Sequence, residues 1–378
     1  MKEGLQTFNG LTDSYLKETW TSVQAKVDRM IEQLGDKSPH VSVSGVYDDM
    51  RLDWWTSGFW PGILWILYDM TGREHYRNAA WDWDKRIEEC FLKENNFHHD
   101  VGFQFLPTAV IKYKITGDTD ARRRGLFAAN FFAGRFNPQG SFIRAWNQDK
   151  TGWAIVDCTM NLSILFWAAD EISDPRFEHI AVLHADTVLK HFIRDDSSVR
   201  HIVSFNPENG EFIEALGGQG FGPDSAWSRG QAWAIYGLAN TYKYTRDLKY
   251  LRAAQKVAHF FLASLPEDYV PHWDFRVPEL EGEPRDTSAA ACTASGLLEI
   301  ANHLPQEEAR LYRKAAERII EALTKKYSTL DNLEYEGLLL EGTGHKPAGS
   351  NINVSLIYGD YYYVEALAKL LGWKNNIF

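Results

Sequence analysis

The chain is poor in the features that mark a disulfide scaffold, a membrane protein or a nucleic-acid binder. Its 3 cysteines in 378 residues, Cys90, Cys158 and Cys292, sit in separate segments without CxxC spacing, which argues against a disulfide framework and a cysteine zinc site. They read as buried thiols. No stretch approaches the roughly 18 uncharged apolar residues of a membrane span, and Met1-Lys2-Glu3-Gly4-Leu5 lacks the apolar centre of a signal peptide. A soluble, cytoplasmic protein is expected, periplasmic if a signal peptide has been removed. An excess of basic residues is also missing: 40 Lys and Arg stand against 51 Asp and Glu, a formal charge of −11. That field repels nucleic acid and anionic membranes, so neither is expected as a partner. It would repel a long polyanion too, so an acidic substrate should be short and held by a few local cations. No Gly-, Ser- or Pro-rich linker divides the sequence, and residues 1–378 read as one domain. No GxSxG, phosphate loop or dinucleotide fingerprint is present. Oligomeric state leaves no mark.

What the chain has in abundance is aromatic surface. Aromatic residues make up 14% of the sequence, with 14 Trp, beside 44% hydrophobic and 24% charged residues. The last two values are those of a globular protein. Trp and Tyr offer flat apolar faces with a polar handle, which suits stacking against sugar rings, although large cores bury aromatics as well.

Helical periodicity dominates, and the segments alternate between two kinds. Segments near 13–33, 74–92, 119–134, 175–193, 248–264 and 306–327 carry dense charge on one face and should face water. Between them, segments near 57–71, 102–116, 158–173, 225–245, 287–304 and 359–371 are nearly free of charge and should be buried all round. Short punctuated links such as Thr71-Gly72-Arg73-Glu74 and Thr116-Gly117-Asp118-Thr119 join a buried segment to the next charged one, as tight helical hairpins do. Six of each kind in alternation predict an all-α fold, an (α/α)6 toroid in which an inner barrel is sheathed by an outer one. The opposite links, such as 135–157 and 265–286, are long and rich in Trp, Gly, Pro and His, and loops of that kind on a rigid scaffold commonly hold a binding site. Within one of them, His201 to Ile213 reads as two short strands around Asn209-Gly210.

The inner segments begin with polar and aromatic signatures that a toroid would gather at one mouth: Trp54-Trp55-Thr56-Ser57-Gly58-Phe59-Trp60, His98-His99-Asp100-Val101-Gly102-Phe103, Asp157-Cys158-Thr159-Met160-Asn161, Asp224-Ser225-Ala226-Trp227, Asp286-Thr287-Ser288 and Tyr358-Gly359-Asp360-Tyr361. Helix N-capping is the commoner role for any one of these aspartates. Capping does not account for the two histidines before Asp100, or for Trp146 and Trp153 in the loop before Asp157. Carboxylates among aromatic rings are partly desolvated, which raises their pKa, while the helix dipole pulls the other way. If desolvation wins for one carboxylate and not for another, the pair can divide acid and base work on a sugar. Arg229, at the start of an otherwise uncharged helix, needs an anionic partner, which is either a protein carboxylate or a substrate carboxylate. His98 and His99 are joined by no further ligand at a recognised spacing, so no metal is expected, nor any cofactor.

Taken together, these motifs make the chain resemble the unsaturated glucuronyl hydrolases, glycoside hydrolase family 88. The resemblance runs over nearly the full length and rests on Trp55 to Trp60, His98 to Phe103, Asp157-Cys158, Trp227-Ser228-Arg229-Gly230-Gln231-Ala232-Trp233, Arg285 to Ala289 and Gly359 to Tyr363. It implies a six-hairpin toroid, in agreement with the alternation read from charge. It further implies Asp157 as general acid and base and Asp100 as a second essential carboxylate. Trp55, Trp146, His201, Gln219, Trp227, Arg229 and Trp233 match residues lining the pocket for an unsaturated uronate, and His99 is counted with them as a substrate-binding candidate. Gly218 stands where relatives often have His, and Gly344-His345-Lys346-Pro347 does not match a sulfate-reading stretch, so no sulfate site is carried over.

The activity implied is removal of a 4,5-unsaturated uronic acid from the non-reducing end of a small acidic oligosaccharide, by hydration of the C4=C5 vinyl ether. The alternatives are an unsaturated rhamnogalacturonyl hydrolase, an ordinary inverting glycosidase and a non-catalytic sugar-binding toroid.

Overall fold

The computed structural model describes residues 8–147 and 149–378. Helices account for most of the chain: α1 (Asp13–Leu34), α2 (Phe59–Thr71), α3 (Glu74–Ala80), α4 (Trp83–Glu88), α5 (Val101–Phe105), α6 (Ile111–Thr116), α7 (Thr119–Ala133), α8 (Cys158–Asn161), α9 (Ser163–Ile172), α10 (Pro175–His191), α11 (Ser228–Thr245), α12 (Leu248–Ser264), α13 (Thr287–Asn302), α14 (Gln306–Ala322) and α15 (Ile357–Leu370). The uncharged segments form an inner ring in which α2, α5–α6, α8–α9, α11, α13 and α15 each pack on the next, and α15 closes onto α2. The charged segments form the outer ring. One hairpin joins the two ends of the sequence, since the outer partner of α15 is α1. The fold is an (α/α)6 toroid.

Local sequence explains the boundaries. At the tight links the inner helices end on left-handed residues, Gly72, Gly117, Ser173 and Arg246, whose N–H groups close the last helical turn. The outer helices then start on side-chain caps: Asp118 accepts from Ala121 N, Asp174 from Arg176 N and Asp247 from Lys249 N. The interior between the rings is continuous and apolar. The inner helices have no wet side; α13 is buried from Thr287 to Ile300 and carries mostly small residues there.

Two inner segments are broken. A π-helical turn at Leu106–Val110, with Pro107 in it, separates α5 from α6, and a step at Leu162 separates α8 from α9. The outer segment 74–92 is divided as well, into α3, α4 and a 3-10 turn at Glu89–Leu92.

The long links supply the only strands among the described residues, starting with two short antiparallel pairs, β1 (Ser42–Val43) with β2 (Val46–Tyr47) and β3 (Phe136–Asn137) with β4 (Phe142–Ile143). The expected hairpin is present as β6 (Ile202–Phe205) and β7 (Phe212–Leu216), antiparallel, and β5 (Trp153–Ile155) adds a third strand to it. A further hairpin, β8 (Gly342–His345) with β9 (Ser350–Val354), rises beside the start of α13. Among the described residues no helix is long and apolar enough to cross a membrane.

Candidate active site

The starts of the inner helices surround a cavity of about 620 Å³. Eight of the site candidates line it: Trp55, His99, Asp100, Trp146, Asp157, His201, Gln219 and Arg229. Trp227 and Trp233 do not, contrary to the expectation that they line the pocket. They are 2% and 0% exposed and stand behind the wall. The Trp227 ring packs against His201 at 4.2 Å and beneath the Arg229 guanidinium at 4.5 Å. Trp233 packs against Phe103 at 5.2 Å. Trp227 precedes α11 and Trp233 lies in its second turn, and an enclosed helix points some side chains into the barrel packing instead of the mouth.

The capping role is settled case by case. Asp286 is a cap, accepting from Ser288 N and Ala289 N. Asp224 is exposed and caps nothing. Asp360 lies inside α15 and accepts from Tyr47 Oη, Leu338 N and Leu339 N, stitching loops to the ring. Asp100 and Asp157 stand at the N-cap positions of α5 and α8 without a side-chain capping bond. Both face the cavity, and Asp157 Oδ1 is buried with no hydrogen-bond partner.

One residue ties this pair together. Asn161 Nδ2 donates to Asp100 Oδ1 at 3.3 Å and to the Asp157 carbonyl at 3.2 Å, while its Oδ1 accepts from Phe103 N at 2.8 Å. The inner helices can come this close because position 102 is glycine: a Cβ there would lie 2.5 Å from Asn161 Oδ1. Asn161 was legible only as part of a polar signature, since nothing in its spacing separates a bridging amide from a helix-start residue.

Burial dominates the electrostatics. It pushes Asp157 up to about 7 against the pull of the Arg229 charge, a backbone N–H and the Trp233 indole. Burial, then the nearby Asp157 charge, raises Asp100 well above the ordinary carboxylate range. The histidines go the other way: burial lowers His40, His98 and His201 to about 3 and His99 well below its ordinary value. The imidazoles of the cavity are therefore neutral at neutral pH.

Arg229 has its anion inside the protein. Its guanidinium donates to Asp286 Oδ2 at 2.6 Å and to the carbonyls of Thr343 and Gly344 at 2.6 and 2.7 Å. Of the two partners considered from sequence, the protein carboxylate is present, and the arginine also clamps the β8–β9 hairpin against α11. Gln219 Nε2 donates to the same Gly344 carbonyl at 2.7 Å. This hairpin brings His345, Ser350 and Asn351 to the cavity, none of which the sequence reading singled out.

At the mouth, Lys150 places its ammonium over Trp153 at 4.6 Å and Trp146 at 5.3 Å. Deeper in, Trp55 and Tyr358 pack at 4.8 Å to form an aromatic wall. With Arg229 paired to Asp286 and both free carboxyls raised, the cavity lacks the negative field of the protein as a whole and can admit an anionic sugar.

His98, His99 and Asp100 form a cluster that sequence spacing undervalued, with donor atoms within 4.8 Å of one another. Two ligands of one zinc ion stand no more than about 4.2 Å apart when each bond is about 2.1 Å. His98 Nδ1 and His99 Nε2 are 3.5 and 3.3 Å from the Asp100 oxygens, and neither nitrogen has a hydrogen-bond partner.

Comparison with known proteins adds the following. The model of Glycosyl Hydrolase Family 88 matches residues 26–377. An unsaturated glucuronyl hydrolase from Bacillus sp. (strain GL1) is 38% identical over 352 residues, covering 90% of this chain and 93% of that protein. A crystal structure of the enzyme from Bacillus sp. GL1, described as responsible for glycosaminoglycan degradation, superposes with a TM-score of 0.91 at 37% identity, over 94% of this chain and 96% of that one. A variant of the Streptococcus agalactiae unsaturated glucuronyl hydrolase in complex with dGlcA-GalNAc6S gives a TM-score of 0.86 at 30% identity, over 98% and 95% of the two chains.

Proposed function

The chain belongs to glycosyl hydrolase family 88, and from that premise we propose that it removes the 4,5-unsaturated uronic acid from the non-reducing end of short glycosaminoglycan-derived oligosaccharides by hydrating the C4=C5 vinyl ether. The observation that carries the reading is the pair Asp100 and Asp157, buried at helix starts, uncommitted to capping and with pKa values raised by burial, that of Asp157 to about 7. A carboxyl that titrates at about 7 is present in both forms near neutral pH, as a group that must give one proton and take another requires.

The protonated Asp157 carboxyl gives its proton to C4, which places positive charge on C5 and the ring oxygen. Water adds at C5 and its proton passes to the Asp157 carboxylate. The hemiketal so formed opens and releases the neighbouring sugar. The Trp55–Tyr358 wall stacks the flat unsaturated ring, and Lys150 meets acidic groups at the mouth. Asp100, with Asn161 between it and Asp157, serves as the second essential carboxyl.

The test follows the alkene absorbance with unsaturated chondroitin and unsaturated pectin disaccharides. Loss of absorbance with the chondroitin disaccharide is expected. Consumption of the pectin disaccharide alone would make the protein a rhamnogalacturonyl hydrolase, and binding without loss of absorbance would make it a sugar-binding toroid.

A further inference from the structure

The two histidines beside the carboxylates have different hydrogen-bond partners. His99 Nδ1 lies 2.8 Å from the Ala145 carbonyl. A carbonyl only accepts, so Nδ1 carries the proton of the neutral ring and Nε2 is bare. That bare nitrogen is buried, has no hydrogen-bond partner and sits 3.3 Å from Asp100 Oδ1. An ionised Asp100 would set negative charge against its lone pair, whereas a protonated Asp100 has a proton to offer it.

His201 is arranged in the opposite sense. The backbone N–H of Gln219 points at Nδ1 from 2.8 Å, closer than the Gly217 carbonyl at 3.2 Å. An amide N–H only donates, so Nδ1 is bare and the ring proton is on Nε2. Nε2 faces Asp157 Oδ1 from 3.7 Å, beyond hydrogen-bond distance, and neither atom has a hydrogen-bond partner. Gly218 makes this possible: it has φ +57°, and a Cβ there would stand 2.2 Å from His201 Nδ1.

We propose that His99 and His201, held in opposite neutral tautomers, are positioning residues that divide the two carboxylates: His99 keeps Asp100 protonated, and the Nε2–H of His201 makes the ionised form of Asp157 accessible, so that Asp157 alone cycles its proton. The raised pKa of Asp100 and the intermediate one of Asp157 run in the same direction. The donors and cations among the other groups facing the pair favour the ionised carboxylates, and burial outweighs them at both. His98 and Asn161 contact Asp100, with the Arg135 charge nearby, and Trp233 and Arg229 flank Asp157. The inference rests on the reading of Asp100 and Asp157 as the reacting pair.

The test is two-bond 1H–15N correlation spectroscopy of the 15N-histidine-labelled wild-type enzyme at neutral pH, assigned with His99→Phe and His201→Phe. Neutron diffraction from deuterium-exchanged wild-type crystals reads the same protons if a variant does not fold. The expected result is a proton on Nδ1 of His99 and on Nε2 of His201. In kinetics, His201→Phe should move the alkaline limb of kcat/KM upward by about one pH unit, a roughly tenfold change in the proton equilibrium, because the ionised form of Asp157 loses the N–H that faces it. A purely structural histidine would leave that limb in place. An enzyme that consumes the alkene but carries its proton on Nε2 of His99 or Nδ1 of His201 overturns the inference and leaves the reading of the function intact. The expected tautomers in a protein that never consumes the alkene overturn the reading instead.

Discussion

Replacing Asp157 by Asn should destroy activity and stabilise the protein in the same stroke, and the second effect has a pH signature. The folded-state pKa is about 7 against an ordinary 3.8. The sign follows from proton binding: between about pH 4 and pH 7 the folded state holds the proton more tightly than the unfolded chain, so stability falls as pH rises through that window. Above it the loss is constant, about 3 pH units at ~1.4 kcal/mol each, or roughly 4 kcal/mol. Asn is isosteric and uncharged, so Asp157→Asn removes the loss. For a chain of this length the unfolding entropy is about 0.8 kcal/mol/K, and the variant should melt ~5 °C above wild type at pH 8 and level with it at pH 4. Over the same range kcat should drop by ~10²–10⁴-fold, the usual cost of losing general acid–base catalysis. Calorimetry at the two pH values and steady-state rates check both halves. A Tm gain equal at pH 4 and pH 8, or a kcat above about a tenth of wild type, would refute the assignment, since ~10-fold is only about 1.4 kcal/mol.

Other expectations follow from the same geometry. Wild-type activity should decline as pH rises through about 7, because the first step needs protonated Asp157; a pH profile flat to pH 9 would contradict this. Arg229→Ala should destabilise the fold by ~3–5 kcal/mol, because it leaves the fully buried Asp286 without its cation. The double variant Arg229→Ala/Asp286→Ala should recover part of that in denaturant titrations, and strict additivity would argue against the ion pair. Trp146→Ala should raise KM more than it lowers kcat, since the ring packs on Trp153 and His99 and touches neither carboxyl directly; an equal fall in kcat and kcat/KM would place it in the transition state instead.

Much of the fold was legible in the sequence because it is built from one repeated contrast. An inner helix enclosed on every side cannot carry exposed charge, and an outer helix must carry it on one face, so Thr287 to Ala294 and Gln306 to Lys314 could be told apart by composition. The tight links were legible through Gly72 and Gly117, which supply the left-handed residue that ends a helix. The β8–β9 hairpin was not, because Gly342-Thr343-Gly344-His345 shows no apolar alternation and is held by Arg229 and Gln219 from over a hundred residues away. The internal breaks at Leu106–Val110 and Leu162 are responses to packing within the ring and leave the 3.6-residue pattern almost unchanged. For the site, motif matching found eight cavity residues but could not say which way the side chains at the start of α11 point. Trp227 and Trp233 therefore read as wall residues although they stand behind it. The partner of Arg229 was a question of two carboxylates that only the three-dimensional position of Asp286 could answer.

The destination of the solvent proton tells chemistry at the alkene from chemistry at the glycosidic carbon. In D₂O the reaction should leave one deuterium at C4 of the uronate-derived product, and a saturated glucuronide of the same linkage should not be cleaved. Efficient cleavage of the saturated glucuronide, or a product without deuterium at C4, would contradict the account even with the toroid and its cavity as described.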